Sequence, residues 1–150
     1  MKTLNAEYSP ENLRALTLRW FQEVWNERRI STIHELMAED NTSHGLTSQL
    51  PGSFAKSEFI AFHNQILTAF PDIRFRVDQV IIDRDRSAVR FTMSGTHRGD
   101  LRGLPASNLT FRVSGQTIIR WEKGRAVEAW NNYDQLGLLQ QIGFITEHLS

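Results

Sequence analysis

The stretch Ser114–Gly143, SGQTIIRWEKGRAVEAWNNYDQLGLLQQIG, decides the fold. It reads as a strand, a tight turn at Glu122-Lys123-Gly124, a second strand and then a short helix. The first strand runs from about Leu109 to Trp121, with Phe111 and Val113 on one apolar parity. The returning strand covers Arg125 to about Asn132. The helix carries Leu136, Leu139 and Ile142, and Gly143 can end it. Asp134 stands at the strand–helix junction beside Trp130, Asn131, Asn132 and Tyr133. Two readings of Asp134 stay open. It can cap the helix, since Asp is a preferred N-cap before an apolar run. If the strand stays regular, Glu128, Trp130, Asn132 and Asp134 share a face; a carboxylate losing hydration against Trp becomes a stronger base.

Upstream the same antiparallel pattern continues. Ile73, Phe75 and Val77 alternate with charged residues. The phase then slips to Val80 and Ile82, which predicts a bulge near Asp78-Gln79. Asp83-Arg84-Asp85-Arg86 reads as a turn. Ser87–His97 follows as a strand, with Val89, Phe91 and Met93 on one face and Arg90 and Thr92 on the other. A glycine-rich loop spans Gly99–Pro105.

Three helices precede these strands. The first starts near Ser9-Pro10, with Ser9 as cap and Pro10 at the first turn. Leu13, Leu16, Trp20 and Val24 form its stripe, widened by Leu18, Phe21 and Trp25. Ser31 can cap a second helix bearing Ile33, Leu36 and Met37. The segment NTSHGLTS is polar and reads as a short strand or a loop. Pro51-Gly52 breaks the chain, Ser53 or a neighbour caps a third helix, and Pro71 ends it after Phe59, Phe62, Ile66 and Phe70. Three helices, four meandering antiparallel strands and a short helix make one α+β domain over residues 1–150. A strongly curved sheet wrapped around the N-terminal helices leaves a cone with a cavity.

Composition narrows the function. Lys+Arg and Asp+Glu balance at 17 each, so no global field draws nucleic acid or an anionic membrane. Cysteine is absent, which excludes thiolate zinc sites and cysteine nucleophiles and fits a cytoplasmic location. The start MKTLNAEYSP is too polar for a signal peptide, and no run is long enough to span a bilayer. His34, His44, His63, His97 and His148 show no metal-pair spacing, so no metal is expected. There is no phosphate loop, no nucleophile elbow and no dinucleotide fingerprint. Four Trp and nine Phe are enough to build a core and also to line a cavity. Trp20, Trp25, Trp130, His63, Arg90 and Asn132 are the expected substrate-binding residues. By residue type and place, a histidine such as His63 on an aromatic helix is more often a satisfied core or interface histidine than a catalytic one, and a strand arginine such as Arg90 is more often ion-paired or at an interface than a substrate clamp.

Four stretches carry a family resemblance: WNERRISTIHELMAEDNTSHG (25–45), AFPD (69–72), VRFTMSGTHRGDLRGLP (89–105) and residues 114–143. In this order the chain resembles the SnoaL-like polyketide cyclases, or ester cyclases, of the NTF2-like cone fold. It departs after GLP, where Ala106-Ser107-Asn108 replaces the family's frequent Pro-Thr-Gly. The resemblance implies cofactor-free acid–base chemistry, an intramolecular aldol closure of a hydrophobic carbonyl compound. Asp134 falls on the family's catalytic aspartate, and His44 and His97 fall near its pocket. The expected catalytic residues are Asp134 and His97, with His44 among the substrate contacts. His97, Asn132 or Arg90 would hold the enolate oxygen. Cone-fold relatives commonly pair through the sheet, so a homodimer is expected. The same cone serves isomerases, dehydratases, epoxide hydrolases and noncatalytic binding modules, so fold leaves function open. Epoxide hydrolysis would need an activated water, and no clear Asp-Arg-Asp set is present for it.

Overall fold

A computed structural model describes residues 8–47 and 52–146. The first helix, α1 (Pro10–Arg19), starts as the sequence predicts: Ser9 Oγ accepts from Asn12 N–H at 3.1 Å, and Pro10 follows it. The helix then widens into a π-helix over Trp20–Asn26, where Glu27 N–H reaches back to Gln22 O at 2.8 Å. The wider turn brings Trp20, Phe21, Val24 and Trp25 all inward, while Leu18 is left exposed. Asn26 pins the end of this segment to the sheet by two bonds to the Phe75 backbone, at 2.9 and 2.7 Å.

Helix α2 (Ile30–Leu36) begins one residue before Ser31, with Arg29 at the cap position and no side-chain cap. Met37 leaves the helix and opens strand β1 (Met37–His44), so the first half of the polar NTSHGLTS segment, Asn41–His44, is a strand. Ser48 of that segment, Pro51 of the expected break and His148 lie outside the described residues. Ser53 belongs to a two-residue strand, β2 (Ser53–Phe54). Helix α3 (Lys56–Ala69) is capped at Ala55, whose N–H donates to Glu58 Oε1 at 3.0 Å.

The remaining elements are β3 (Arg74–Asp83), β4 (Arg86–Thr96), β5 (Thr110–Glu122), β6 (Arg125–Tyr133) and α4 (Gln135–Gln141). They form the predicted meander, including the register shift between Val77 and Gln79. Among the described residues the sheet has six strands rather than four, in the order β2-β1-β6-β5-β4-β3. Strand β1 runs parallel to β6, and the other pairs are antiparallel. The α+β class holds, with a curved, unclosed sheet around the helices.

The inner face of β5 alternates strictly: Phe111, Val113, Gly115, Thr117, Ile119 and Trp121 are buried and their neighbours are not. Gly115 is required there, because a Cβ would stand 2.5 Å from Phe91 Cζ and 2.9 Å from Tyr133 Cβ. One end of the cone is closed by Leu13 of α1 against Ile119, Trp121 and Ala126. No described helix is long and apolar enough to cross a membrane.

Candidate functional site

The interior of the cone is a cavity of about 250 Å³. Its wall is aromatic and aliphatic: Trp20, Phe21 and Trp25 from the π-helix, Phe59 and Phe62 from α3, and Phe75, Phe91 and Met93 from the sheet. The rings contact one another directly. Trp25 stacks on Phe75 at 4.9 Å, and Trp20 meets Phe59 at 5.6 Å. Removing an apolar ligand from water into such a wall is favourable by roughly 25 cal/mol per Å² of apolar surface buried.

Against this wall stand a few polar groups. Asn41 and Ser43 of β1, Thr117 of β5 and Asn131 of β6 all line the cavity. Tyr133 and Gln135 flank the junction where β6 meets α4. Arg102, from the loop between β4 and β5, is exposed and lines the rim together with Leu104 and Asn132. Burial pushes the Tyr133 phenol above its ordinary range, only partly offset by Arg102, so it remains a protonated donor at neutral pH. Among the described lining residues there is no carboxylate and no imidazole.

Of the residues expected to bind substrate, Trp20, Trp25 and Asn132 line the cavity. His44, Arg90 and Trp130 do not; strand alternation places them on the outer face. Their neighbours Ser43, Phe91, Ala129 and Asn131 take the inner one. There His44 Nε2 meets Glu128 Oε2 at 2.8 Å, Trp130 stacks on His44 at 5.8 Å, and Arg90 lies 3.9 Å from Asp78. His63 is fully buried behind the wall, with its Nε2 on Val24 O at 2.8 Å. Burial lowers its pKa against that bond, so it stays neutral. His97 is likewise fully buried, between Phe70 and Phe144, and outside the cavity wall. Its Nδ1 accepts from Ser107 N–H at 3.1 Å, which puts the ring proton on Nε2.

Asp134 is exposed and caps α4: its Oδ1 accepts from Gly137 N–H at 2.8 Å. It does not line the cavity, although Tyr133 and Gln135 on either side of it do. Reading the residues in sequence missed Asn41, Ser43, Thr117, Asn131 and Tyr133 as lining groups. For Thr117 the signal was present, since it shares the parity of Phe111 and Val113. No three of His, Asp and Glu come together as metal ligands among the described residues.

The SnoaL-like polyketide cyclase family model matches residues 15–142. Among curated proteins none matches in sequence. Solved structures share the fold at low identity. AclR from Streptomyces galilaeus, provisionally named a hydroxylase, is 23% identical over 93% of this chain and 89% of its own, with a TM-score of 0.82. A SnoaL-like polyketide cyclase from Jannaschia sp. CCS1, also provisionally named, is 22% identical over 92% and 97%, with a TM-score of 0.80. IdmH from Streptomyces antibioticus, provisionally named a polyketide cyclase, is 23% identical over 87% and 97%, at 0.76.

Proposed function

This chain belongs to the SnoaL-like polyketide cyclase family, and from that premise we propose that it binds a hydrophobic carbonyl compound in the cone and closes a ring in it by an aldol-type reaction. The observation that carries the reading is the aromatic-walled cavity lined by the protonated phenol of Tyr133, the residue next to the Asp134 cap at the β6–α4 junction. The wall folds a flexible substrate so that its reacting carbons meet; such positioning is worth up to about 7–11 kcal/mol in well-oriented intramolecular reactions. In the step itself a base takes a proton α to one carbonyl. The enolate carbon attacks a second carbonyl, whose oxygen takes up a proton, so no atoms are lost. Tyr133 supplies the hydrogen bond to the developing oxyanion. Asp134, outside the cavity lining but between the lining residues Tyr133 and Gln135, is our candidate for the base: Oδ1 is held by Gly137 N–H, and Oδ2 has no partner among the described residues. The cysteine-free chain suits a cytoplasmic setting.

Asp134→Asn tests the assignment. Asn is also a good cap, so stability should change by less than ~1 kcal/mol. Turnover of a cognate substrate should fall about 10²-fold or more. Near-full turnover in a folded variant would remove Asp134 from the reaction. That outcome would favour a noncatalytic binding cone, the second reading, which draws its support from the solvated, capping position of Asp134 and a cavity lining without carboxylate or imidazole among the described residues.

A further inference from the structure

The register of the sheet sets two lining side chains directly opposite each other. Thr117 of β5 pairs with Asn131 of β6. Opposed residues on one face carry Cβ atoms about 4.5–5.5 Å apart, close enough for both side chains to reach one ligand atom. The nearby polar groups are already engaged. Ser43 Oγ donates to Asn41 Oδ1 at 3.0 Å, and Asn41 Nδ2 donates to Ala126 O at 2.8 Å. Asn131 Nδ2 donates to His44 O at 2.9 Å, which fixes the amide and leaves Oδ1 as an acceptor with no donor among the described residues. Thr117 is 4% exposed, and its Oγ1 is buried with no hydrogen-bond partner. A buried hydroxyl without a partner is destabilising and rare, and Val would fill the same space without that penalty.

We infer that Thr117 and Asn131 form a hydrogen-bonding subsite, inside the cone, for one neutral hydroxyl, phenolic or enolic, of an otherwise apolar ring-bearing ligand. The ligand hydroxyl donates to Asn131 Oδ1 and accepts from the Thr117 hydroxyl. Rotation about the threonine Cα–Cβ bond, between staggered wells, exchanges the hydroxyl with the similarly sized methyl and turns Oγ1 toward the ligand. A ketone at this point satisfies Thr117 alone and sets its own oxygen against Asn131 Oδ1, so the pair selects hydroxyl over carbonyl. A charged group is excluded from this depth, because Arg102 at the rim is the one formally charged residue among the described lining residues. The subsite rests on the reading of the cone as the binding site.

The test uses 2-naphthol and 2-methylnaphthalene, which differ by a hydroxyl in place of a methyl, titrated calorimetrically near neutral pH. The wild-type protein should bind 2-naphthol about tenfold or more tightly than 2-methylnaphthalene. Thr117→Val should abolish that preference while leaving 2-methylnaphthalene binding within about twofold, and Thr117→Ser should retain it. Thr117→Val should also raise the Tm of the unliganded protein, since it removes an unpaired buried hydroxyl. If Thr117→Val still prefers 2-naphthol, or lowers Tm, the subsite is overturned while the cone remains the binding site. If neither probe binds the wild-type protein, the subsite and the cone reading fall together.

Discussion

Ser87 and Thr117 are both buried hydroxyls on the inner face of the sheet, and their surroundings separate structure from function. Ser87 belongs to a closed chain. Trp121 Nε1–H donates to Ser87 Oγ at 3.0 Å, the Ser87 hydroxyl donates to Thr17 Oγ1 at 2.9 Å, and Thr17 donates to Leu13 O at 2.6 Å. Each hydroxyl in that chain donates once and accepts once. Ser87→Ala leaves the Trp121 N–H unpaired at the closed end of the cone, so it should destabilise by about 1–3 kcal/mol in urea unfolding; an unchanged midpoint would mean that another acceptor serves Trp121. Thr117 has no such chain, and its hydroxyl is unexplained by folding alone. Tyr133 is a further residue whose chemistry follows from its place. Tyr133→Phe keeps the apolar wall and removes the donor. Turnover of a cognate substrate should drop about tenfold or more while affinity for 2-methylnaphthalene holds; equal losses in both would make Tyr133 a packing residue. Of the two readings that the sequence leaves open for Asp134, the structure displays the cap, because a side chain bonding three residues ahead is a local property. The inward placement of Asn131 was not available locally. An irregularity between Arg120 and Trp121 in the pairing with β6 shifts the phase of the last strand, and Glu128 and Trp130 face out.

At the scale of elements, the legible parts are those whose inner face is apolar. Strands β3, β4 and β5 announce themselves by alternation because Phe, Val, Met and Ile face the core. Strand β1 does not, since its inward residues Asn41 and Ser43 are polar and line the cavity, so the site hides the strand that carries it. The π-helix is illegible for a different reason: apolar residues at 20, 21, 24 and 25 suit an α-helix nearly as well, and the wider turn is fixed by the Asn26–Phe75 bonds, a long-range contact. The junction of α3 and β4 gives a measurable consequence. Asp72 accepts from Thr96 N–H and from the Thr96 hydroxyl, both at 2.7 Å. Burial works against its charge, and the Thr96 bonds outweigh that effect and hold its pKa below the ordinary carboxylate range. A depressed folded-state pKa adds stability that is present above the unfolded value, near 3.9, and is lost as pH falls through the folded one. Because Asp72 is exposed, solvent screening keeps the contribution small. The sharper readout is NMR titration of the carboxyl: Thr96→Val should move the Asp72 pKa upward, and an unmoved value would show that the Thr96 hydroxyl bond does not set it.

At the scale of the whole molecule, the outer face of the sheet is the large surface that the described helices leave bare. One register row crosses five strands there: Ile81 pairs with Ala88, Ala88 with Ile118, Ile118 with Trp130, and Trp130 with His44. Ile81 is 55% exposed and Ile118 43%. A flanking row, Arg86–Arg120–Glu128, places positive and negative charge side by side, with the Arg86 guanidinium 5.3 Å over the Trp130 ring. An apolar stripe bordered by polar rows is the composition of an interface core and rim. We propose that a second copy of this chain covers it, sheet against sheet, with each copy contributing the same row as a two-fold axis requires. A stable pairing of this kind buries about 800 Å² on each partner. Light scattering should therefore give a dimer mass at micromolar concentration. Ile118→Lys should shift the mass to a monomer, because a lysine at the centre of the row must lose its hydration on pairing. The cavity lies on the opposite face, so the monomeric variant should still bind 2-naphthol within about twofold of the wild-type affinity. A monomeric wild-type mass would remove the dimer. A dimer that survives Ile118→Lys would move the interface to another face and leave the Ile81–His44 row as exposed surface.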